Sequence, residues 1–367
     1  MIGIYIHVPF CKRKCPYCDF YSVSEDRELI KSYVSAVCRN AKAFAGRRIS
    51  ADTVYFGGGT PSLLTAEQIE KILSVIDESF TLCSPEITME ANPCTVDFQK
   101  LSDYRNAGVN RISFGVQSAD DKELEFLGRL HDFALAEQAV ENAVKAGFDN
   151  ISCDLMLGLA GQSMKSLERS LSKLAEMPIN HISAYMLKIE EETPFYKQEI
   201  INAVADEDLL CDMYLRTVEF LEEKGFIQYE ISNFAKDKLY SKHNLKYWHG
   251  EEYIGIGPAA HSFFENERYC CPRNLNKFIK SDLQDKEALE TSPDKLEEYI
   301  MLNLRLTTGI NLHTVEEMAG KDFADRLEKK AIFFEKNKLC VISGKRIFLT
   351  PKGFLVSNDL IEEFIDC

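Results

Sequence analysis

The stretch that decides the fold is "YIHVPFCKRKCPYCDF", residues 5–20, in which an apolar strand pattern runs directly into three cysteines. Cys11, Cys15 and Cys18 have the spacing C-x3-C-x2-C. Thiolates are soft ligands that suit zinc, copper(I) or iron–sulfur clusters. Structural zinc needs four closed ligands, usually two separated pairs, and no second pair completes one here, which leaves a Cys3His site with His7 as the zinc alternative. Three thiolates on one loop favour a cubane cluster with one iron open to a small molecule.

The first 235 residues alternate apolar, β-branched runs with amphipathic helical segments. Continuous apolar strands separated by helices indicate a parallel sheet. Six such units predict an open or partial (β/α)6 barrel, since a full barrel needs eight. A doubly wound sheet is the alternative, which the periodicity does not exclude. The predicted strands are "GIYIHV" (3–8), "TVYFGG" (53–58), "ITMEAN" (87–92), "RISFGV" (111–116), "ISCDLMLG" (151–158) and "HISAYML" (181–187).

Unusual residues stand at the ends of these strands, where the chemistry of such folds sits. The cysteines follow the first strand, "GGGTP" (57–61) follows the second, Glu90 ends the third, Gln117 follows the fourth and Asp154 lies in the fifth. Glycines let a ligand approach the backbone closely. Carboxylates accept hydrogen bonds from ribose hydroxyls or an ammonium group, and Arg129 in "FLGRLH" can pair with a carboxylate. We expect all of them to converge on one mouth.

The bulk composition fits a globular protein of more than one domain, with 367 residues, 45% hydrophobic and 28% charged. The net charge of −15 argues against general affinity for nucleic acid. Apolar runs long enough to span a bilayer are absent from the sequence, and "MIGIYIHVPF" has no basic region before its apolar residues. We therefore expect a soluble, cytoplasmic protein with no transmembrane segment, in which most of the 12 cysteines are free thiols.

These motifs resemble those of the radical S-adenosylmethionine (SAM) proteins. More narrowly, the chain is similar to the oxygen-independent coproporphyrinogen III oxidase group and its HemW-type haem chaperone branch. The resemblance covers nearly the whole chain, since "GGGTPSLL", "EITMEANP", "AGVNRISFGVQS", "LGRLH" and "HNLKYWHGEEYIGIGPAAHSF" follow in order. It implies a radical SAM barrel in which SAM supplies the ligand to the fourth iron of a [4Fe-4S] cluster.

Carried over by position, the resemblance implies that Cys11, Cys15 and Cys18 hold the cluster. It also implies that the glycine turn receives the SAM amino group and that the acidic residue of the third strand receives the ribose. The implied SAM contacts are Tyr5, Tyr17 through its backbone, Gly58, Gly59, Thr60, Glu90, Gln117, Arg129 and Asp154.

Two positions separate the branches of this family. The oxidases carry a further cysteine two residues after the third ligand, where this sequence has Phe20, as in the chaperone branch. The "HNLKYW" motif (243–248) matches a pattern associated with haem binding in that branch, through His243, Asn244, Tyr247 and Trp248. A neutral histidine nitrogen can bind haem iron, and the aromatic rings offer flat faces to a porphyrin. From its residues alone, the same motif is also a good local packing unit.

The pattern changes near residue 290, and three helices, a hairpin around Ser343-Gly344 and a closing helix from Pro351 predict a smaller, winged-helix-like α+β domain. Such modules often bind DNA. From Lys295 onward, however, 11 Lys and Arg stand against 12 Asp and Glu, so no basic face is indicated. The predicted domains are 1–235, the radical SAM core; 236–290, a connecting segment with the "HNLKYW" motif; and 291–367, the C-terminal domain.

Three functions follow from these features. The first is a haem chaperone that binds haem and a SAM-ligated [4Fe-4S] cluster and passes haem to an acceptor protein, which could be respiratory or membrane-associated. The second is an enzyme, a coproporphyrinogen dehydrogenase-type oxidoreductase that decarboxylates coproporphyrinogen III to protoporphyrinogen IX; Phe20 disfavours it. The third is a DNA-binding iron–sulfur regulator, disfavoured by charge. The prediction leans towards the chaperone and away from an enzyme.

Overall fold

The computed structural model of the chain describes residues 1–198, 200, 204–280 and 286–367. Parts of the predicted domains 1–235 and 236–290 therefore lie outside the described residues. The described strands are β1 (Ile2–Val8), β2 (Phe10–Cys11), β3 (Val23–Ser24), β4 (Ser50–Gly58), β5 (Thr81–Ala91), β6 (Arg111–Gln117), β7 (Ile151–Leu157), β8 (His181–Met186), β9 (Ile227–Gln228), β10 (Asn233–Ala235), β11 (Tyr253–Ile256), β12 (His261–Phe264), β13 (Glu267–Cys270), β14 (Glu287–Thr291), β15 (Ile310–Asn311), β16 (Cys340–Ser343) and β17 (Arg346–Leu349).

The six predicted strands are all present and form one parallel run in chain order, β1-β4-β5-β6-β7-β8. A doubly wound sheet would reverse its order at a switch point. Sequential order without reversal is that of a barrel, so the predicted barrel is confirmed and the doubly wound alternative is excluded. Strands β1 and β7 are buried along almost their whole length, as expected when helices cover a parallel sheet.

The sheet extends beyond the six strands on both sides. Strand β11 pairs in parallel with β1, and β12, β13 and β14 follow it as antiparallel neighbours. At the other edge β10 and β9 add antiparallel strands to β8. The predicted connecting segment 236–290 thus contributes strands to the sheet itself. Its Gly255 approaches the His261 carbonyl so closely that a Cβ would lie 2.1 Å away.

Helices pack on the outside of the sheet and begin at side chains that cap their free N–H groups. Asp26 caps α1, and Thr65 and Ser163 make capping boxes at α2 and α6. The helices are α1 (Arg27–Lys42), α2 (Ala66–Ser79), α3 (Phe98–Asn106), α4 (Asp121–Phe126), α5 (Phe133–Lys145), α6 (Met164–Glu176), α7 (Pro194–Lys197), α8 (Glu207–Glu223), α9 (Lys242–Trp248), α10 (Leu275–Lys280), α11 (Lys295–Asn303), α12 (Leu312–Ala319), α13 (Lys321–Lys336), α14 (Pro351–Leu355) and α15 (Ser357–Ile365).

The C-terminal part has the predicted order of three helices, a hairpin and a helical end. Strands β15, β17 and β16 form a small antiparallel sheet beside α11, α12 and α13. The one closing helix that the sequence predicts is two, because the backbone breaks at Val356 between α14 and α15. The Ile231 N–H donates to the Arg305 carbonyl and Arg268 pairs with Glu298, so this part is held against the barrel.

Candidate functional site

The three cysteines lie on a loop that leaves the C-terminal end of β1. Strand pairing of Phe10 with Val23 and of Cys11 with Ser24 closes the loop at its base. Within the loop the Cys18 N–H donates to the Cys15 carbonyl, which forms a tight turn. Cys11, Cys15 and Cys18 are free thiols of intermediate burial. The loop therefore presents three sulfurs from one short, closed segment.

A cavity of about 390 Å³ lies between this loop and the C-terminal strand ends. Eleven of the twelve predicted cluster and SAM positions line it, the exception being Tyr5. Six of the remaining lining residues are Arg13, Lys14, Phe20, Ser113, Met156 and Tyr185. The predicted convergence on one mouth is thus present, because parallel strands bring their carboxyl ends to the same edge of the sheet.

The glycine turn after β4 forms one wall of the cavity. Gly58 has a φ of +108°, and a Cβ there would lie 2.6 Å from the His7 ring. At Gly59 a Cβ would lie 2.7 Å from the Phe10 carbonyl oxygen, so the turn packs directly on the base of the cysteine loop. The Thr60 hydroxyl donates to Cys11 Sγ at 3.5 Å. Only glycine allows these approaches, and the turn therefore joins the backbone cradle to the first thiol.

Two carboxyl groups form the floor of the cavity. Burial, followed by the negative charge of Asp154, raises the pKa of Glu90 to about 7. Burial raises the pKa of Asp154 to about 6, against hydrogen bonds from Ser183 and Ser113. The Tyr55 hydroxyl donates to Glu90 Oε1 at 2.8 Å and the Gly58 N–H donates to Oε2 at 3.1 Å. A cationic or hydroxyl-rich ligand would relieve this unfavourable pair of buried acids.

Arg129 and Gln117 both line the cavity, and Arg129 contacts one of its thiols. Arg129 donates to Cys15 Sγ and to the Tyr17 hydroxyl, each at 3.5 Å, and to the Gly115 carbonyl at 2.6 Å. Its Nε has no hydrogen-bond partner among the described residues. Gln117 follows a bulge in β6 and has a φ of +72°, which is rare for a residue with a side chain. Strain of this kind concentrates at ligand sites, and here it turns an amide into the cavity.

The donor set fits a cluster bound by three thiolates with a small polar molecule beside it. In the described part of the chain, no group of three or more His, Cys, Asp or Glu side chains is arranged to hold a metal ion. A four-iron cluster binds each thiolate to a different iron, so its ligands must line a space around it. The three cysteines line such a space together with acceptors, a cation and bare backbone.

The two tyrosines predicted to contact SAM lie at different depths. Tyr17 lines the cavity and packs beside Phe195, with ring centroids 6.2 Å apart. Tyr5 lies in the middle of β1, where its hydroxyl is 3.1 Å from His7 Nδ1. Its ring lies 6.2 Å from that of Tyr55. Tyr5 therefore supports the cavity from within the barrel and does not line it.

The "HNLKYW" motif forms α9 and lies at the other end of the barrel. His243 is 1% exposed, and a Cβ on Gly3, near the start of β1, would lie 3.0 Å from its ring. Its Nδ1 is 2.7 Å from Thr53 Oγ1 and its Nε2 is 2.8 Å from the Tyr247 hydroxyl. Burial lowers the pKa of His243 to about 3, so the ring is neutral. In this structure both nitrogens are engaged within the protein, as in the packing alternative.

The other residues of the motif surround this histidine. The Asn244 N–H donates to the Ser241 hydroxyl that caps the helix, and Trp248 is its last residue, half-buried. The His243 ring stacks on Tyr55, with centroids 5.1 Å apart and planes 28° apart. Haem binding by this motif stays a prediction. What the structure shows is a plug that closes the N-terminal end of the barrel.

The sequence analysis missed Tyr185, which lines the cavity, and two strand residues that act on Glu90, Tyr55 and Arg111. Tyr55 and Tyr185 are aromatic residues in strands, where alternation could have placed them on the inner face once the register was known. Arg111 is 2% exposed at the start of β6, and its Nε has no hydrogen-bond partner among the described residues. The signal in the sequence for Arg111 was a charged residue at the first position of an otherwise apolar strand.

Comparisons with known proteins agree with this architecture. Residues 5–174 match the model of the radical SAM superfamily, and residues 291–356 match that of the HemN C-terminal domain. The chain is 32% identical to the heme chaperone HemW of Lactococcus lactis, over 98% of this chain and 96% of that one. It is 33% identical to the heme chaperone HemW of Bacillus subtilis, over 100% and 99%.

A solved structure also has the same fold. The coproporphyrinogen III oxidase (HemN) of Escherichia coli, a radical SAM enzyme, superposes with a TM-score of 0.82 at 23% identity, covering 99% of this chain and 89% of that one. None of the described helices is long and apolar enough to cross a membrane.

Proposed function

Because the chain belongs to the HemW family of the radical SAM superfamily, we propose that it is a haem chaperone, which binds haem and transfers it to an acceptor protein. Membership of the superfamily implies a [4Fe-4S] cluster and SAM. The observation that supports the proposal in this chain is the shared cavity of three thiols, a glycine turn and two buried carboxyl groups. The proposal names the acceptor only by class, as a protein that receives haem.

In this proposal Cys11, Cys15 and Cys18 hold the cluster, which when bound supplies a one-electron redox centre with one open iron. Thr60 and Arg129 donate to two of the sulfurs, at Cys11 and Cys15. Hydrogen bonds to ligand sulfur and a nearby cation favour the thiolate and tune the potential of such a centre.

The remaining cavity residues would hold SAM beside that centre. The backbone of Gly58, Gly59 and Thr60 would receive its amino group, and Glu90 its ribose hydroxyls. Asp154 adds a second acceptor, Arg129 matches a carboxylate, and Gln117 offers an amide. The cationic ligand would lower the pKa of both acids and keep them ionised.

Haem ligation by His243, with contacts from Asn244, Tyr247 and Trp248, stays a prediction, and it would require a rearrangement. The ring would have to give up its hydrogen bond with Tyr247 or with Thr53 before its nitrogen could bind iron. The contacts in this structure support a packing role for the motif, so haem is better sought at an exposed surface.

The cluster assignment is tested by Cys15→Ala, which should abolish the anaerobic cluster absorbance while leaving the fold intact. Cys83→Ala is the matched control, since Cys83 is exposed and lies on β5 away from the loop. Iron and sulfide per chain, measured after reconstitution of both variants, should fall only in the first. A full complement of iron and sulfide in Cys15→Ala would exclude the assignment.

The function itself is tested by two anaerobic assays on the reconstituted chain. Haem titration followed by absorbance should give about one haem per chain, and transfer to an apo-acceptor should follow its addition. Coproporphyrinogen III with SAM and a reductant should show no turnover. Turnover without stable haem binding would overturn the chaperone proposal in favour of a porphyrinogen oxidase.

A further inference from the structure

Phe20 is exposed at the mouth of the cavity although it is a large apolar residue. Its side chain is 65% accessible and lines the same cavity as the three thiols. Exposure alone does not mark a site, since Phe333 on α13 is 61% exposed, and what distinguishes Phe20 is its place on this cavity. None of the proposed cluster and SAM contacts uses Phe20.

The backbone around Phe20 is anchored on both sides. The Arg273 guanidinium donates to the Asp19 carbonyl at 2.6 Å and to its carboxylate at 3.1 Å. On the other side the Tyr21 carbonyl lies 2.9 Å from His7 Nε2, and the Tyr21 hydroxyl accepts from the Leu275 N–H at 2.8 Å. The ring is therefore presented to solvent from a fixed position, as expected for a binding platform.

Further apolar surface adjoins the mouth from β8. Tyr185, which lines the cavity, is 41% exposed. Below it the cavity floor is polar, with Glu90 and Asp154. The mouth thus combines aromatic surface at the rim with a polar interior, which suits a flat apolar ligand lying across it.

The rim is basic in a chain whose net charge is −15. Lys12, Arg13 and Lys14 are consecutive and exposed, and Arg13 and Lys14 line the cavity. Lys12 and Arg13 donate to backbone carbonyls, of Cys94 and Arg129, which do not neutralise their charge. This local positive charge complements a ligand that carries carboxylates.

We propose that haem, a planar tetrapyrrole with two propionates, docks across this mouth with its face on Phe20 and Tyr185 and its propionates on Arg13 and Lys14. The inference rests on the proposed chaperone function and specifies where its cargo binds. It places haem beside the cluster loop, at the opposite end of the barrel from the "HNLKYW" plug. The rim is open as it stands, whereas His243 is 1% exposed.

The test is an anaerobic titration of the reconstituted full chain with ferric haem, followed by absorbance. Phe20→Ala should weaken binding about tenfold, because an aromatic contact is lost. Phe333→Ala is the matched control, since Phe333 is 61% exposed on α13 of the C-terminal domain. It should leave haem affinity unchanged, and both variants should keep their iron content.

The charged contacts are tested separately. Lys14→Glu should weaken haem binding several-fold, and the loss should shrink as salt is raised, because exposed charges are screened. Lys352→Glu, an exposed position on α14, is its control. Protoporphyrin dimethyl ester, which lacks the propionate charges, should bind both variants equally.

The outcomes separate the inference from the function on which it rests. If the wild-type chain binds no haem, the proposed function fails. If it binds haem, but Phe20→Ala and Phe333→Ala bind equally well, the function stands and the docking site is overturned. Loss of haem binding in a folded, cluster-loaded His243→Ala variant, with Phe20→Ala unaffected, would likewise overturn it and place haem at the plug.

Discussion

His243→Ala should destabilise the barrel, because the ring is a buried packing element in this structure. The substitution removes hydrogen-bond partners from the fully buried Thr53 hydroxyl and from Tyr247. Each orphaned group costs ~1 kcal/mol or more. The lost stacking on Tyr55 adds ~1 kcal/mol. The free energy of unfolding should therefore fall by about 3 kcal/mol in all, before any cost of the cavity that remains.

Urea unfolding followed by the fluorescence of Trp248 measures this loss directly. Trp248 is the only tryptophan in the chain and is the last residue of α9, so the signal comes from the plug. Because the urea m-value grows with chain length and should reach ~3 kcal/mol/M or more here, a loss of about 3 kcal/mol should lower the midpoint by roughly 1 M or less. His313→Ala is the control, because the His313 side chain is 71% exposed and pairs with Glu317 at the surface. It should shift the midpoint little.

An unchanged midpoint in His243→Ala would refute the packing argument. It would mean that the ring contributes little to the fold in solution and that its hydrogen bonds are readily exchanged. Haem loss in such a stable variant would then support iron ligation by His243. A lowered midpoint in the absence of haem supports the plug.

Three further predictions concern the cavity. Glu90 has a pKa of about 7 in the folded chain and ~4.3 in the unfolded chain, so the folded state binds its proton more tightly. The free energy of unfolding without SAM should therefore fall as pH rises from 5 to 8. Glu90→Gln should flatten that fall in urea midpoints measured across this range, and an unchanged slope would contradict the assignment. Tyr55→Phe removes a hydrogen bond that lowers the pKa of Glu90, and should therefore shift the pH dependence of SAM affinity upward, as measured by equilibrium dialysis. Gly59→Ala forces a Cβ to 2.7 Å from a backbone oxygen of the cysteine loop, and should reduce both cluster content and SAM binding. Gly46→Ala, where a Cβ meets nothing within 4 Å, should leave both intact despite its strained φ.

The strands could be predicted because their residues admit few alternatives. "TVYFGG" and "RISFGV" are short, β-branched and bounded by turns or helices, which leaves little room for a helical alternative. The order of strands in the sheet could not be predicted, since it depends on contacts between residues far apart. Strand β11 was missed for the same reason. Its four residues, "YIGI", are too short to signal a strand, and their pairing with β1 joins segments some 250 residues apart.

The residues of the site also fall into those that could be predicted from sequence and those that could not. Thiols and paired glycines have few structural uses together, so Cys11, Cys15, Cys18, Gly58 and Gly59 could be assigned to one cavity from sequence. Aromatic and hydroxyl residues have many uses, so Tyr185 and Ser113, which also line it, could not be assigned from sequence. Orientation decides their role, and it follows from the curvature of the sheet. For His243 too, chemistry alone allowed a ligand or a packing group, and burial favours packing.

A continuous set of contacts joins the two ends of the barrel. At one end Glu90 accepts from the Gly58 N–H of the glycine turn, and its other oxygen accepts from Tyr55. The Tyr55 ring stacks on His243, and His243 is hydrogen-bonded to the Tyr247 hydroxyl of α9. A change in the "HNLKYW" motif can therefore disturb the cofactor cavity without touching any ligand there. It follows that loss of haem from a motif variant identifies an iron ligand only if cluster content, SAM affinity and stability are all preserved. If haem loss tracks loss of the cluster or of SAM, it does not identify an iron ligand, because the motif can act through Tyr55 and Glu90.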